Sequence, residues 1–230
     1  MNILAIIPAR GGSKRVKRKN IRNINNKPMI AYTVEAAKKS KYITRLIVST
    51  DDDEIANIAL NFGAEVPFLR PSMYSTDKAK SIDLVLHSLI ECKRIYKENY
   101  DFVLLLQPTS PFRNSSHIDE AIQMLIDNSN ADSLISVNES GHFHPHYLYF
   151  PINQNFIKPL IENIEIKGYQ EMDKSYIRNG AIYLVKASYL ETNKSLIAEN
   201  NLAILMDELS SINIDTEIDL KLANIIAVDK

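Results

Sequence analysis

An α/β fold, with helices on both faces of a mainly parallel sheet, is predicted by three features of this 230-residue chain. Strand-like and helix-like segments alternate along most of its length, the rhythm of βαβ units. The strand segments at 3–7 and 102–106 are near-continuous apolar runs, as expected of central strands covered on both faces. The segments between strands repeat apolar residues at i, i+3 and i+4, the spacing of a helix with one buried face.

The first strand, 3–7, stops at Pro8 and empties into a loop holding Gly11, Gly12 and Ser13. Lys27 and Pro28 open a helix to about residue 40, with Pro28 suited to its first turn. Residues 45–50 form a β-branched strand that ends in aspartates, and Asp52 or Asp53 caps the following helix. That helix buries Ile55, Ile58, Ala59 and Phe62 and is stopped by Gly63. A short strand at 65–69 precedes a longer helix carrying Ile82, Val85, Leu86 and Leu89. After the strand at 102–106, Ser115 or Ser116 caps a helix whose inward face is Ile118, Ala121, Ile122 and Leu125. A strand at 133–137 follows.

Between about 140 and 177 the rhythm pauses in a segment of prolines, histidines and aromatics, with short alternating runs at 147–150 and 163–166. It reads as an arm of strands and loops leaving the main sheet, its apolar side chains covered by a second subunit. The main fold resumes with strands at 181–185 and 202–205 and closes with a helix at 217–227. Residues 1–230 thus form a single domain with the arm inserted at about 140–177.

A formal net charge of −1 argues against a dedicated nucleic-acid or membrane-surface protein. No apolar stretch approaches a membrane span, and the N-terminal run is too short for a signal peptide. The single cysteine, Cys92, has no partner for an internal disulfide and fits a small buried hydrophobe in a reducing compartment. A cytoplasmic location is expected.

The loop after the first strand concentrates Arg10, Lys14, Arg15, Lys17, Arg18 and Lys19 in a chain that is otherwise nearly neutral. Packed cations repel one another unless an anion or solvent screens them. Their place after the opening strand, where α/β sheets bind nucleotides, reads as a polyphosphate cradle, with the paired glycines letting backbone N–H groups approach. Neither the P-loop nor the dinucleotide-binding glycine pattern is present. Gln107 falls at the carboxyl end of a central strand, stiffened by Pro108 and Pro111, where its amide and the hydroxyls of Thr109 and Ser110 can read a polar ligand. Asn213 and Asp215 lie two apart on extended backbone, a pair of oxygen donors suited to Mg²⁺, while Asp215 or Thr216 can equally cap the last helix. Arg70, Asp77 and Ser81 flank the start of the long helix and could read a base or ribose. His142, His144 and His146 surround a proline without a companion carboxylate or cysteine, which favours a substrate-contacting arm over a metal site.

In order along the chain stand IPARGGSK and KN (7–14, 19–20), KPMI (27–30), VSTD (48–51), QPTSP (107–111), NGAIY (179–183) and IDT (214–216). This set resembles the acylneuraminate, or CMP-sialic acid, cytidylyltransferases over residues 2–225. The resemblance implies a Rossmann-like nucleotidyltransferase sandwich with a dimerisation arm, hence a homodimer. It also implies Mg²⁺-assisted transfer of CMP from CTP to the anomeric hydroxyl of a nine-carbon 2-keto sugar acid, with release of pyrophosphate. By position it assigns Arg10, Lys14 and Lys19 to the triphosphate and the leaving pyrophosphate, Ser13 to substrate binding, and Asn20 to the nucleotide near its ribose and α-phosphate. Arg70 and Ser81 fall by the cytidine, Gln107 and Asn179 by the sugar acid, and Asp215 with Asn213 by the metal. Two departures stand out. Asn213 replaces the first carboxylate of the family's Asp-x-Asp, which weakens direct metal ligation. Residues 15–20 replace a Gly-hydrophobic-Pro-x-Lys-Asn pattern, which removes a stiffening proline. Sialic, legionaminic and pseudaminic acids are equally compatible acceptors. The eight-carbon Kdo enzymes share the opening motif but carry a different acidic stretch in place of QPTSP. A non-catalytic nucleotide-sugar-binding protein of the same fold is the reading Asn213 keeps open.

Overall fold

The computed structural model describes residues 1–161 and 168–228. The run at 163–166 noted above lies outside the described residues. In chain order the elements are β1 (Ile3–Pro8), β2 (Asn23–Ile24), β3 (Lys27–Pro28), α1 (Met29–Lys38), β4 (Arg45–Ser49), α2 (Asp53–Asn61) and α3 (Ser81–Tyr96). There follow β5 (Phe102–Leu105), α4 (Ser115–Asp127), β6 (Ser133–Glu139), β7 (Tyr149–Pro151) and β8 (Ile157–Pro159). β9 (Tyr176–Lys186), α5 (Ala187–Asn193), β10 (Asn201–Leu205) and α6 (Glu217–Val228) complete the chain.

Six strands form one sheet in the order β10-β6-β9-β5-β1-β4. β1 pairs in parallel with β4 and β5, and β10 with β6. β9 runs antiparallel to both its neighbours, a reversal absent from the expected βα rhythm. The reason is the arm. β6 and β9 are the two sides of one long hairpin, and the described residues 140–161 and 168–175 lie at its tip. Because strand side chains alternate, Ile3, Ala5 and Ile7 join one core with α1, α2 and α4, while Leu4 and Ile6 join another with α3 and α5. These are the two interfaces of a three-layer α/β/α sandwich. A third cluster buries Val16 and Ile24 against Ile214, Leu220 and Ala223, so α6 holds the loop that follows β1.

Several local expectations are corrected. Pro28 sits just before α1, in β3, not inside its first turn. Residues 65–69 make isolated bridges from Glu65 to Ile47 and from Leu69 to Thr50, because Pro67 between them has no N–H to continue a ladder. α4 is capped by Asn114, which accepts from the His117 backbone while His117 Nδ1 accepts from the Asn114 N–H, so Ser115 and Ser116 fall inside the helix. Asp52 does cap α2, accepting from Ile55 N at 3.0 Å. Thr216 rather than Asp215 caps α6, its hydroxyl accepting from Asp219 N. Cys92 is fully buried, and burial pushes its thiol up to about 12, which makes it inert.

Candidate functional site

β1, β4 and β5 are parallel, so the loops leaving their carboxyl ends meet at one edge of the sheet. A cleft of about 620 Å³ opens there. Of the side chains singled out by sequence, Arg10, Ser13, Lys14, Lys19, Asn20, Arg70, Ser81, Gln107 and Asp215 line it. Asn179 and Asn213 do not.

The loop after β1 divides its charges. Arg10, Lys14, Arg15 and Lys19 face the cleft. Arg18 turns away and pairs with Asp52 and Glu54 at the start of α2, holding itself at a φ of +54°. Val16, buried at the loop's centre, anchors it to the α6 layer, a hold that partly makes up for the missing proline. Asn20 closes the hairpin by donating from Nδ2 to the Arg10 carbonyl at 3.0 Å. Its Oδ1 remains for a ligand.

The glycines serve a different purpose from the one expected. Gly11 donates its N–H to Asp51 Oδ1 at 3.0 Å, and a Cβ there would meet Asp52 Oδ2 at 2.6 Å. Gly11 is therefore demanded by the close approach of the α2 cap. Gly12 faces open space, and neither glycine lines the cleft.

Two carboxylates stand among the cations. Asp77 bridges Lys14 at 2.5 Å and Arg10 at 2.9 Å, and the Lys14 ammonium, helped by Arg10, holds its carboxyl below the usual range. Asp215 accepts from Lys19 Nζ at 2.7 Å, and the same ammonium reaches the Ile214 carbonyl at 2.9 Å. Asn213 Nδ2 donates to the other Asp215 oxygen at 3.1 Å. Asp219 holds this turn by accepting from the N–H groups of Asp215 and Thr216. Burial would raise its carboxyl, yet those two backbone bonds keep it below the usual range. Five cations, counting Arg70, thus face two carboxylates, an excess suited to an anion of several charges.

Arg70 is almost wholly buried and donates to the Ser49 hydroxyl and carbonyl, which fixes the cleft wall. Burial pushes its guanidinium down to about 10. Tyr74, Thr76 and Ser81, at the start of α3, complete this side. On the opposite side Thr109 lines the cleft, and its carbonyl accepts from Ile214 N at 2.8 Å, tying the QPTSP turn to the Asp215 turn. The Gln107 side-chain amide makes no hydrogen bond among the described residues, so it is free for a ligand.

Asn179 is structural. Between Ile135 and Val137 of β6, which face Tyr183 and Arg178, β9 bulges. Asn179 Oδ1 accepts from the Ser136 hydroxyl at 2.5 Å and from Ala181 N at 3.1 Å, and its Nδ2 donates to Ser211. The bulge places Gly180, at a φ of +80°, where a Cβ would meet Gln107 Oε1 at 3.3 Å. Asn179 therefore shapes the wall behind Gln107 without entering the cleft. Asp77 as an ion-pairing group and Arg113 behind Gln107 were not assigned from sequence. His144 is buried and bonds through Nε2 to the Asp173 carbonyl at 2.9 Å, a stitch within the arm.

Residues 4–145 match the sequence model of a family described as cytidylyltransferase. The chain is 39% identical over 222 residues to a CMP-N,N'-diacetyllegionaminic acid synthase of Legionella pneumophila, covering 95% of this chain and 93% of that protein. It is 37% identical to an N-acylneuraminate cytidylyltransferase of Escherichia coli, over 96% of this chain and 51% of that longer protein. Among solved structures, a CMP:2-keto-3-deoxy-manno-octonic acid synthetase in complex with CTP superposes with a TM-score of 0.73 at 18% identity, each chain fully covered. The last similarity shows the shared fold.

Proposed function

We propose, because this chain belongs to the cytidylyltransferase family, that it transfers CMP from CTP to the anomeric hydroxyl of a nine-carbon 2-keto sugar acid and releases pyrophosphate. The observation that carries the reading is one cleft lined both by the cluster of cations and by Gln107, whose amide is free. Arg10, Lys14 and Lys19 grip the triphosphate. The sugar hydroxyl attacks the α-phosphorus and gives up its proton to solvent, a new P–O bond forms, and the bond to the bridging oxygen breaks toward pyrophosphate. The charge that builds on the leaving group falls among fixed cations, which is most of what phosphoryl transfer needs. Gln107 holds the acceptor. Arg70, with Ser81, forms the nucleoside side.

The donors near Lys19 suit Mg²⁺. Asp215 offers a half-exposed carboxylate with lone pairs beyond those given to Lys19 and Asn213, and Asn213 offers an amide oxygen. Mg²⁺ is commonly held by one or two such groups together with phosphate oxygens and water. Among the described residues no group of three or more His, Cys, Asp or Glu is placed to hold a metal ion. When bound, the metal supplies further neutralisation of the phosphate oxygens. Asn213→Asp restores a second carboxylate and is expected to lower the Mg²⁺ concentration giving half-maximal rate. An unchanged metal titration would place Asn213 outside the metal's surroundings.

Asp77 occupies the position of a phosphate, and CTP must displace it from Arg10 and Lys14. Asp77→Asn is expected to tighten CTP binding a few fold in calorimetry, since exposed ion pairs are individually weak. Weaker binding would mean that Asp77 organises the cations instead of competing for them.

The arm is the dimerisation element in this reading. β7 and β8 pair as a small hairpin that leaves Tyr149, Phe150, Phe156 and Ile157 exposed. A second copy covers them. The test of the activity is pyrophosphate release with CTP and a panel of nine-carbon and eight-carbon keto acids. Release with nine-carbon acids and CTP is expected. No release with any acid, or equal release with UTP, contradicts the reading.

A further inference from the structure

Arg113 is the largest fully buried side chain of the fold, at 2% exposure. Its Nη1 donates to the Ala181 carbonyl at 3.1 Å and to the Gln107 carbonyl at 3.3 Å. Nε and Nη2 have no hydrogen-bond partner among the described residues. Among the described residues no carboxylate offsets the charge, and burial pushes the guanidinium down to about 9, so it stays protonated at neutral pH. A buried cation without a counterion is costly, and an apolar side chain of similar length would remove the cost. Packing therefore does not account for an arginine here.

The two carbonyls identify the role. Gln107 lies two residues beyond the end of β5, and Ala181 lies in the bulge of β9, next to Gly180. Gly180 leaves just enough room for the Gln107 side chain, and that amide is uncommitted. Arg113 donates to both segments from one nitrogen, Nη1, whose two hydrogens lie in the rigid guanidinium plane, and this fixes their separation. We propose that Arg113 is a positioning residue for the acceptor: it clamps the Gln107 carbonyl to the β9 bulge and so presents the free Gln107 amide to the sugar acid at a fixed place. The proposal rests on the activity proposed above. It goes further in assigning acceptor affinity, and not nucleotide affinity, to a residue outside the cleft.

A double-mutant cycle tests it. Arg113→Lys keeps the charge but replaces the rigid planar donor with a freely rotating ammonium on a shorter reach. Arg113→Gln keeps a donor without the charge. Either is expected to raise KM for the sugar acid about tenfold or more, as a misplaced contact does, with KM for CTP within about twofold of the parent. Gln107→Ala should do the same, and adding it to either Arg113 variant should cost nothing further. Independent, multiplicative effects overturn the proposal, as does equal weakening of CTP and acid or an unaltered KM for the acid in Arg113→Lys. Absence of pyrophosphate release by the parent protein would refute the activity, not the clamp. In that case ligand-free crystal structures decide: Gln107 displaced from Gly180 in Arg113→Lys supports the clamp, and an unmoved Gln107 rejects it.

Discussion

Lys19→Ala is expected to lower turnover by several hundredfold, on the order of 3–4 kcal/mol, the usual loss when one fixed charge is taken from a developing anion. The Lys19 side chain is mostly buried, at 16% exposure, and is held by two acceptors, the Ile214 carbonyl and Asp215, so it is aimed before substrate arrives. Removing it has a second consequence. Asp215 loses its cation and becomes an uncompensated negative charge beside the triphosphate. The loss should fall on kcat as well as on KM for CTP, because charge at the leaving pyrophosphate grows toward the transition state. Steady-state kinetics of the variant check this. A rate within a few fold of the parent would remove Lys19 from the reaction.

Opening the arm is the other large effect. If, as proposed, the arm joins two copies, and if it also completes the neighbour's acid pocket, Phe150→Asp combined with Ile157→Asp is expected to give a monomer in light scattering and to abolish sugar-acid binding, with CTP binding kept. Both side chains lie on the β7–β8 hairpin and are more than half exposed in the single chain. An exposed apolar cluster of this kind marks an interface, and a charge at its centre is left without a partner on association. Deleting residues 142–172 should have the same result, since the stem between Glu139 and Tyr176 is paired independently of the tip. A deletion variant that still dimerised would refute the assembly role of the arm.

The sheet was legible wherever one residue pattern had one meaning. β1 and β5 read as buried strands because their apolar runs admit nothing else, and both are central. The reversal of β9 was not legible, since its apolar residues look the same in either direction. Only the long β6–β9 hairpin reveals it. Asn114 was overlooked as a cap because two serines follow it, and the reciprocal bond from His117 decides between them. In the cleft the sequence located the cations and Gln107, which project from loops at strand ends. It misread the glycine pair: the need for Gly11 arises from Asp52, about forty residues away in sequence, while Gly12 faces open space. Arg113 was hidden for a similar reason. An arginine beside a helix cap reads as a surface residue, and its burial follows from a bulge in a distant strand. What sequence misses here are contacts made across the sheet.

The account stands on the hairpin after β1 gripping a nucleoside triphosphate. A crystal of the protein soaked with CTP measures this directly. The predicted density places the triphosphate against Arg10, Lys14 and Lys19, with Asp77 swung out of its ion pairs and the base on the Arg70 side. Nucleotide bound elsewhere, with Asp77 still bridging Arg10 and Lys14, would contradict it.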